Sequence, residues 1–173
     1  MICDVRLHMM KHTRRLMLSD RAAVLQINSD SLPGVRAIDA EEFERLMALP
    51  NRHLAIETEQ NVVVGYAFAF TSSTAYDGDE FQEFRRKYPM PFTYIDQVAV
   101  QSKMRRMRLG IALYGAIEDE ARNGGMYALC CEVNLAPPNP ESMAFHQRSG
   151  FSISGELNTA DGRTVVLMVK NLK

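Results

Sequence analysis

The chain has no tryptophan and only three cysteines, Cys3, Cys130 and Cys131, in 173 residues. That usage excludes a disulfide framework and a cysteine-based metal site. Cys130 and Cys131 are neighbours, and neighbours on a strand point to opposite faces, so they are poorly placed to bridge each other. They read as small buried hydrophobes. Long apolar runs are also absent. The longest, Val62 to Phe70, is interrupted by Gly65 and falls far short of the ~20 residues that cross a bilayer. There is no excess of charge of either sign: the formal net charge is −1. Neither nucleic acid nor a lipid surface is therefore expected as a partner from bulk electrostatics. The opening stretch MICDVRLHMMKHTRR is basic but leads into no apolar secretory core, so a cytoplasmic location is expected.

What is present is the composition of a soluble globular protein, 46% apolar and 24% charged. The length suits one domain over residues 1–173, with residues 1–15 as a ragged extension. Ser19 or Asp20 can cap a helix with Ala23, Val24 and Ile27 on one face. Asp39 and Glu42 resemble a capping box for a helix carrying Phe43, Leu46 and Met47, which Pro50 ends. His53–Thr58 and Val62–Thr71 read as strands joined by a polar tip. Residues 72–91 read as loop around a short helix with Phe81, Phe84 and Tyr88 on one side. Phe92–Val100 is strand-like, and an amphipathic helix follows from Leu109 until Gly124-Gly125 stops it. Tyr127–Val133 is a strand, Glu141–Ser149 a helix, and Phe151–Glu156 and Arg163–Lys170 are terminal strands around the turn Ala160-Asp161-Gly162. Alternating helices and strands predict a mixed α/β domain with a central sheet.

The most informative stretch is YIDQVAVQSKMRRMRLGIALYGAIEDEAR. It joins a strand to a helix through a loop carrying Lys103, Arg105, Arg106 and Arg108 with no acid among them. Free backbone N–H groups at a helix start, the positive end of the helix dipole and fixed positive charge together favour an anion such as a pyrophosphate. A second stretch, NPESMAFHQRSGF, runs from Asn139 through Phe145-His146 to Gly150-Phe151.

In their order and spacing these two stretches resemble the cofactor-side motifs of the GNAT superfamily of N-acyltransferases. That family pairs a strand ending in Val-x-Val with Q/R-x-x-G-x-G/A. Aligned without a gap from Val98, Ala99 and Val100, the signature falls on Arg105, Arg106, Met107, Arg108, Leu109 and Gly110 and runs on into Ile111 and Ala112. Arg108 stands where the family has its first glycine. A register shifted to Met107–Ala112 recovers small residues at Gly110 and Ala112 but loses the leading Arg or Gln. The resemblance implies a GNAT fold, with helices flanking a central, mostly antiparallel sheet whose strands splay around an acyl-CoA site. It implies acetyl-CoA as co-substrate, a primary amine as acceptor, no metal, and a homodimer as one arrangement. Asn139 matches the position that bonds the pantetheine arm, and a backbone N–H near Val98 would meet the oxyanion. His146 occupies the position of a tyrosine that protonates the departing thiolate.

A free alkyl amine has a pKa of about 10.4 and arrives protonated, so its attack needs a proton acceptor. Asp96 and Glu132 are the candidates; Glu132 is a charge within an otherwise apolar strand. His146 could act as an acid, because a histidine near pKa ~6.5 is partly protonated at neutral pH. It could equally be a packing residue. Asp77, Asp79, Glu80 and Glu83 read as a solvated helix start balanced by Arg85, Arg86 and Lys87, or as an attractor for a cationic amine. The expected activity is acetyl transfer from acetyl-CoA to an amine. An acyl-CoA binder or sensor with little turnover is the alternative, motivated by Arg108 and His146; nucleic-acid binding through KMRRMR lacks interleaved aromatics.

Overall fold

A computed structural model describes the backbone of residues 10–173 and the side chains of residues 12–173. Cys3 and most of the basic opening stretch lie outside these. The described elements are β1 (Met10–Arg15), α1 (Arg21–Ser29), α2 (Ala40–Ala48), β2 (Leu54–Thr58), β3 (Val63–Thr71), α3 (Asp79–Lys87), β4 (Phe92–Val100), α4 (Leu109–Asn123), β5 (Ala128–Ala136), α5 (Pro140–Arg148), β6 (Ser152–Asn158) and β7 (Thr164–Asn171). The strand order is β1-β2-β3-β4-β5-β7-β6. β4 and β5 are parallel, whereas β1–β2, β2–β3, β5–β7 and β6–β7 are antiparallel. This is the mixed α/β, mostly antiparallel architecture expected. Among the described residues no helix is long and apolar enough to cross a membrane.

The chain forms two compact units, one comprising residues up to Ala69 with Gln97–Ile117, the other Phe70–Asp96 with Glu118–Lys173.

In the first unit, β1 corrects the expectation of a ragged start as far as residue 10: Met10–Arg15 pairs antiparallel with β2. The segment KHTRR has no apolar alternation, so its strand is held by charge. Arg14 reaches Asp20 and Glu57, each at 2.7 Å. Desolvation would raise Asp20, but hydrogen bonds from Arg14 and from the Met17 N–H hold its carboxyl below the usual range. Asp39 caps α2 as expected, accepting from the Glu42 N–H at 2.8 Å. Glu42 itself turns to Arg36 and Arg45, so only half of the capping box forms. Phe43 packs on Phe68 of β3, with ring centroids 6.3 Å apart. His53, fully buried, accepts from the Ala69 N–H at Nδ1 (3.0 Å) and faces the Leu46 carbonyl through Nε2. A polar network also crosses this core. Asn28 Nδ2 reaches the Arg36 carbonyl, Tyr66 Oη and Gln97 Oε1, while Gln97 Nε2 donates to the same carbonyl at 2.8 Å. The Ile38 N–H closes the network on Asn28 Oδ1 at 3.1 Å.

The core of the second unit is aromatic. Phe70 stacks on Tyr76 at 4.4 Å, and Phe81 and Phe84 of α3 pack against Phe92 and Tyr94 of β4 at 5.5–6.1 Å. All but Tyr76 are fully or almost fully buried, and each such ring contributes about 1.5–3 kcal/mol of burial. α3 thus buries the face predicted for it. β5 runs three residues beyond the expected Val133, because β7 continues to pair with it as far as Ala136.

Candidate active site

The basic loop lies in the first unit. A short 3₁₀ turn, Ser102–Met104, follows β4, and α4 begins at Leu109, closing its first bond from the Ala112 N–H to the Arg108 carbonyl at 3.0 Å. Leu109 and Leu113 anchor the helix in the core, whereas Lys103, Arg105, Arg106 and Arg108 are exposed. The first N–H groups of a fifteen-residue helix lack intrahelical acceptors, so this end suits an anion. Two residues of the loop are left-handed, Arg106 at φ 65° and Arg108 at φ 62°. Gly110 is not, and a β-carbon there would meet nothing within 4 Å. The glycine-favouring backbone therefore falls on Arg108. Arg105 bends toward the α1–α2 loop, 3.4 Å from the Asp30 carbonyl and Ser31 Oγ. Of the remaining predicted cofactor residues, Ala99 is buried, Val98, Val100 and Met107 are half-buried, and Ile111 and Ala112 are exposed. The end of β4 is seated by the Gln101 N–H on the Val64 carbonyl at 2.8 Å.

The predicted catalytic residues lie in the second unit. The parallel ladder pairs Phe92–Ile95 with Ala128–Cys131, and Asp96 and Glu132 are the next residue on each strand. Side chains alternate along a strand, so Tyr94 shares a face with Asp96, and Glu132 with Asn134. Tyr94 Oη donates to Glu132 Oε2 at 2.7 Å, and Tyr76 Oη donates to Asp96 Oδ1 at 2.6 Å. Burial first, then the charges of Glu80 and Asp96, push the Glu132 carboxyl well above the usual carboxylate range; Tyr94 and Arg163 only partly offset them. Burial likewise raises the Tyr94 hydroxyl.

Glu80 departs from the solvated helix start read in the sequence. It is 6% exposed and paired with Arg163 at 3.0 Å, while Glu83 does take Arg86 and Lys87 as expected. Burial, with Asp96 adding to it, raises the Glu80 carboxyl. Tyr94 and Asp96, two apart in a strand-like segment, could have been paired from the sequence. No local pattern linked Glu80 to Arg163, 83 residues away.

His146 and Asn139 sit on α5 of the same unit. Asn139 caps the helix, its Oδ1 accepting from the Ser142 N–H at 3.1 Å. His146 is 5% exposed, edge-on to Phe145 and Phe151 at 5.3 Å each. Its Nδ1 lies 2.8 Å from the Ser142 carbonyl and therefore carries the hydrogen in that bond. Burial lowers its pKa, against the opposing bond to Ser142. Burial therefore works against the charged imidazole that a leaving-group acid would need.

The profile of the acetyltransferase (GNAT) family matches residues 21–151. Among solved structures, the chain is similar to Ard1 from Thermoplasma volcanium, at 21% identity over 94% of this chain and 97% of that one, with a TM-score of 0.73. It is similar to the ribosomal-protein-S18-alanine N-acetyltransferase from Escherichia coli, at 16% identity over 94% of each chain and a TM-score of 0.70. It is also similar to yncA, a putative acetyltransferase from Salmonella typhimurium solved with its cofactor acetyl-CoA, at 21% identity over 95% and 94% of the two chains and a TM-score of 0.67. No curated protein sequence gives a significant match.

Proposed function

The chain belongs to the acetyltransferase (GNAT) family, and on that basis we propose that it transfers an acetyl group from acetyl-CoA to a primary amine, with Glu132 as the proton acceptor. One observation carries the choice of base: Glu132 sits just past the end of the parallel ladder, bonded to Tyr94, in surroundings that raise its carboxyl above the usual carboxylate range and so favour its holding a proton. The proton leaves the acceptor ammonium for Glu132, directly or through water. The neutral amine then attacks the acyl carbon, the bond from acyl carbon to sulfur breaks to release the CoA thiolate, and the second proton on nitrogen passes to that thiolate, leaving the amide and CoASH. Asp96, bonded to Tyr76, contributes charge to this face.

Acetyl-CoA supplies the activated acyl group. Arg105, Arg106 and Arg108, with the N–H groups opening α4, would hold its phosphates, along with Val98, Ala99, Val100, Met107, Leu109, Gly110, Ile111, Ala112 and Asn139 as the matched motif positions. The left-handed backbone at Arg108 supports the gapless register, since that is the conformation a glycine there would adopt. The burial of His146, which disfavours its charged form, favours a second reading, an acyl-CoA binder with slow turnover, because a leaving-group acid at that position would have to carry the charge.

The test is CoA release against a panel of amines, covering small molecules and peptide N-termini, with thermal stabilisation by acetyl-CoA measured alongside. Stabilisation with turnover supports the transferase, and stabilisation without turnover across the panel leaves the binder. No stabilisation at millimolar acetyl-CoA in a folded sample overturns both.

A further inference from the structure

Arg163 ends the β6–β7 turn and uses all three guanidinium nitrogens. Nε donates to Asp161 Oδ2 at 2.7 Å within the β6–β7 turn, Nη1 to Asn134 Oδ1 of β5 at 3.2 Å, and Nη2 to Glu80 Oε1 of α3 at 3.0 Å. The turn has a second tie to α3, from the Ala160 N–H to Asp79 Oδ2 at 2.7 Å. Asn134 is two residues beyond Glu132 and shares its face of β5, so the guanidinium bonded to Asn134 is close enough for its charge to act on the Glu132 carboxyl. Its inner partner, Glu80, is 8% exposed at the side chain, against 49% for its outer partner, Asp161.

We propose that Arg163 is a positioning residue of the acetyl-transfer site: by spanning Glu80, Asn134 and the β6–β7 turn, it fixes one wall of that site and sets the charge that Glu132 faces. This rests on the assignment of Glu132 as the base. The groups that act on Glu132 are Glu80 from α3, Tyr94 and Asp96 from β4 and Arg163 from the turn; the adjacent thiol of Cys131, on the opposite face of β5, is kept protonated by burial. Glu80 and Asp96 oppose the ionised form of Glu132, while Arg163 and Tyr94 favour it. Removing Glu80's charge and removing Arg163's must therefore move Glu132 in opposite directions, a signature that general loosening of the fold does not produce. Arg163 also satisfies Glu80. Deleting the arginine alone would let Glu80 take up a proton and blur the effect, so the clean comparison is made with Glu80 already neutral.

The experiment follows the ¹³C carboxyl resonance of Glu132, assigned by its loss in Glu132→Gln, from pH 4 to pH 9. It uses the full chain, Glu80→Gln, Glu80→Gln/Arg163→Gln and Arg163→Lys. Glu80→Gln is expected to lower the midpoint, and adding Arg163→Gln to raise it again by on the order of one pH unit. Arg163→Lys keeps the charge without the fork, so its midpoint stays near that of the unaltered chain while the Ala160 amide exchanges faster with solvent. Should the double variant fail to fold, the contrast between a lowered midpoint in Glu80→Gln and an unmoved one with faster Ala160 exchange in Arg163→Lys carries the test. The readout needs no substrate, so these shifts in a protein without transferase activity would retire the assignment of Glu132 as base and leave the Arg163 arrangement standing. Equal midpoints in Glu80→Gln and the double variant, or an unchanged Ala160 exchange rate in Arg163→Lys, overturn the proposal.

Discussion

Tyr94 and Glu132 lie on adjacent parallel strands, and the fully buried tyrosine donates its hydroxyl to Glu132 Oε2 at 2.7 Å. No solvent reaches the ring to replace this bond. A hydrogen bond to a charged partner contributes about 1.5–3 kcal/mol, so Tyr94→Phe makes the Glu132 carboxylate harder to form. Turnover at neutral pH is expected to fall about tenfold or more, with the acid limb of the pH–rate profile moved upward. An unchanged limb would separate Tyr94 from the base.

Glu132→Gln is expected to cost about 10²- to 10⁴-fold in turnover and to stabilise the fold. The sign follows from linkage. An unfolded glutamate ionises near 4.5 while the folded one is raised, so below 4.5 both states are protonated and the substitution changes little. Above it, the unfolded state alone loses its proton and native stability falls. The gain in melting temperature should therefore grow from pH 4 toward neutrality. A gain independent of pH would refute the buried-charge explanation.

Arg108→Gly has two effects of opposite sign in two different assays. A left-handed arginine costs about 1–2 kcal/mol that glycine avoids, so the free protein should melt at a higher temperature. The lost guanidinium should weaken CoA binding and flatten its salt dependence. Calorimetry across a salt series reads the second effect; equal or tighter CoA binding by the variant would mean the side chain obstructs rather than holds.

His146→Ala should act mainly on stability, lowering the unfolding free energy by about 1–3 kcal/mol through lost packing on Phe145 and Phe151. Turnover measured where chemistry limits should stay within a few-fold. A loss of a hundredfold at unchanged stability would restore the acid role.

His53 supplies a pH test of the first unit. Burial holds its pKa down at about 4, against 6.5 when unfolded. The unfolded state therefore binds the extra proton first, and stability present above pH 6.5 should drain away as the pH falls toward 4. A denaturation series comparing His53→Gln, which cannot take the proton, should show a shallower acid decline.

The strands and helices were legible where side-chain period and punctuation agreed. Phe92–Val100 was read to the residue, and α3 was placed by Phe81 and Phe84. β1 was missed because KHTRR has no apolar face; its stability comes from Arg14 reaching Asp20 and Glu57, contacts that local sequence does not encode. The site divided in the same way. Asp96 and Glu132 stood out as charges in apolar strands, and Arg108 as a departure from a motif. Glu80 looked like surface because its neighbours Asp77 and Asp79 are, and its cationic partner, Arg163, comes from a turn far along the chain. His146 was read both as a possible acid and as a packing residue, and its place between Phe145 and Phe151 is a contact that the motif alone does not encode.

The Asn28 network constrains how the α1–α2 connection can change. Its bonds to that connection end on backbone atoms, the Arg36 carbonyl and the Ile38 N–H, so they specify where the loop must arrive and not which side chains it carries. Exposed side chains such as Leu32 and Ala37 are thereby open to exchange by mutation. Loop length is not, because one residue more or fewer would put a different carbonyl before Asn28 and Gln97. The loop can drift in sequence while its landing point stays fixed.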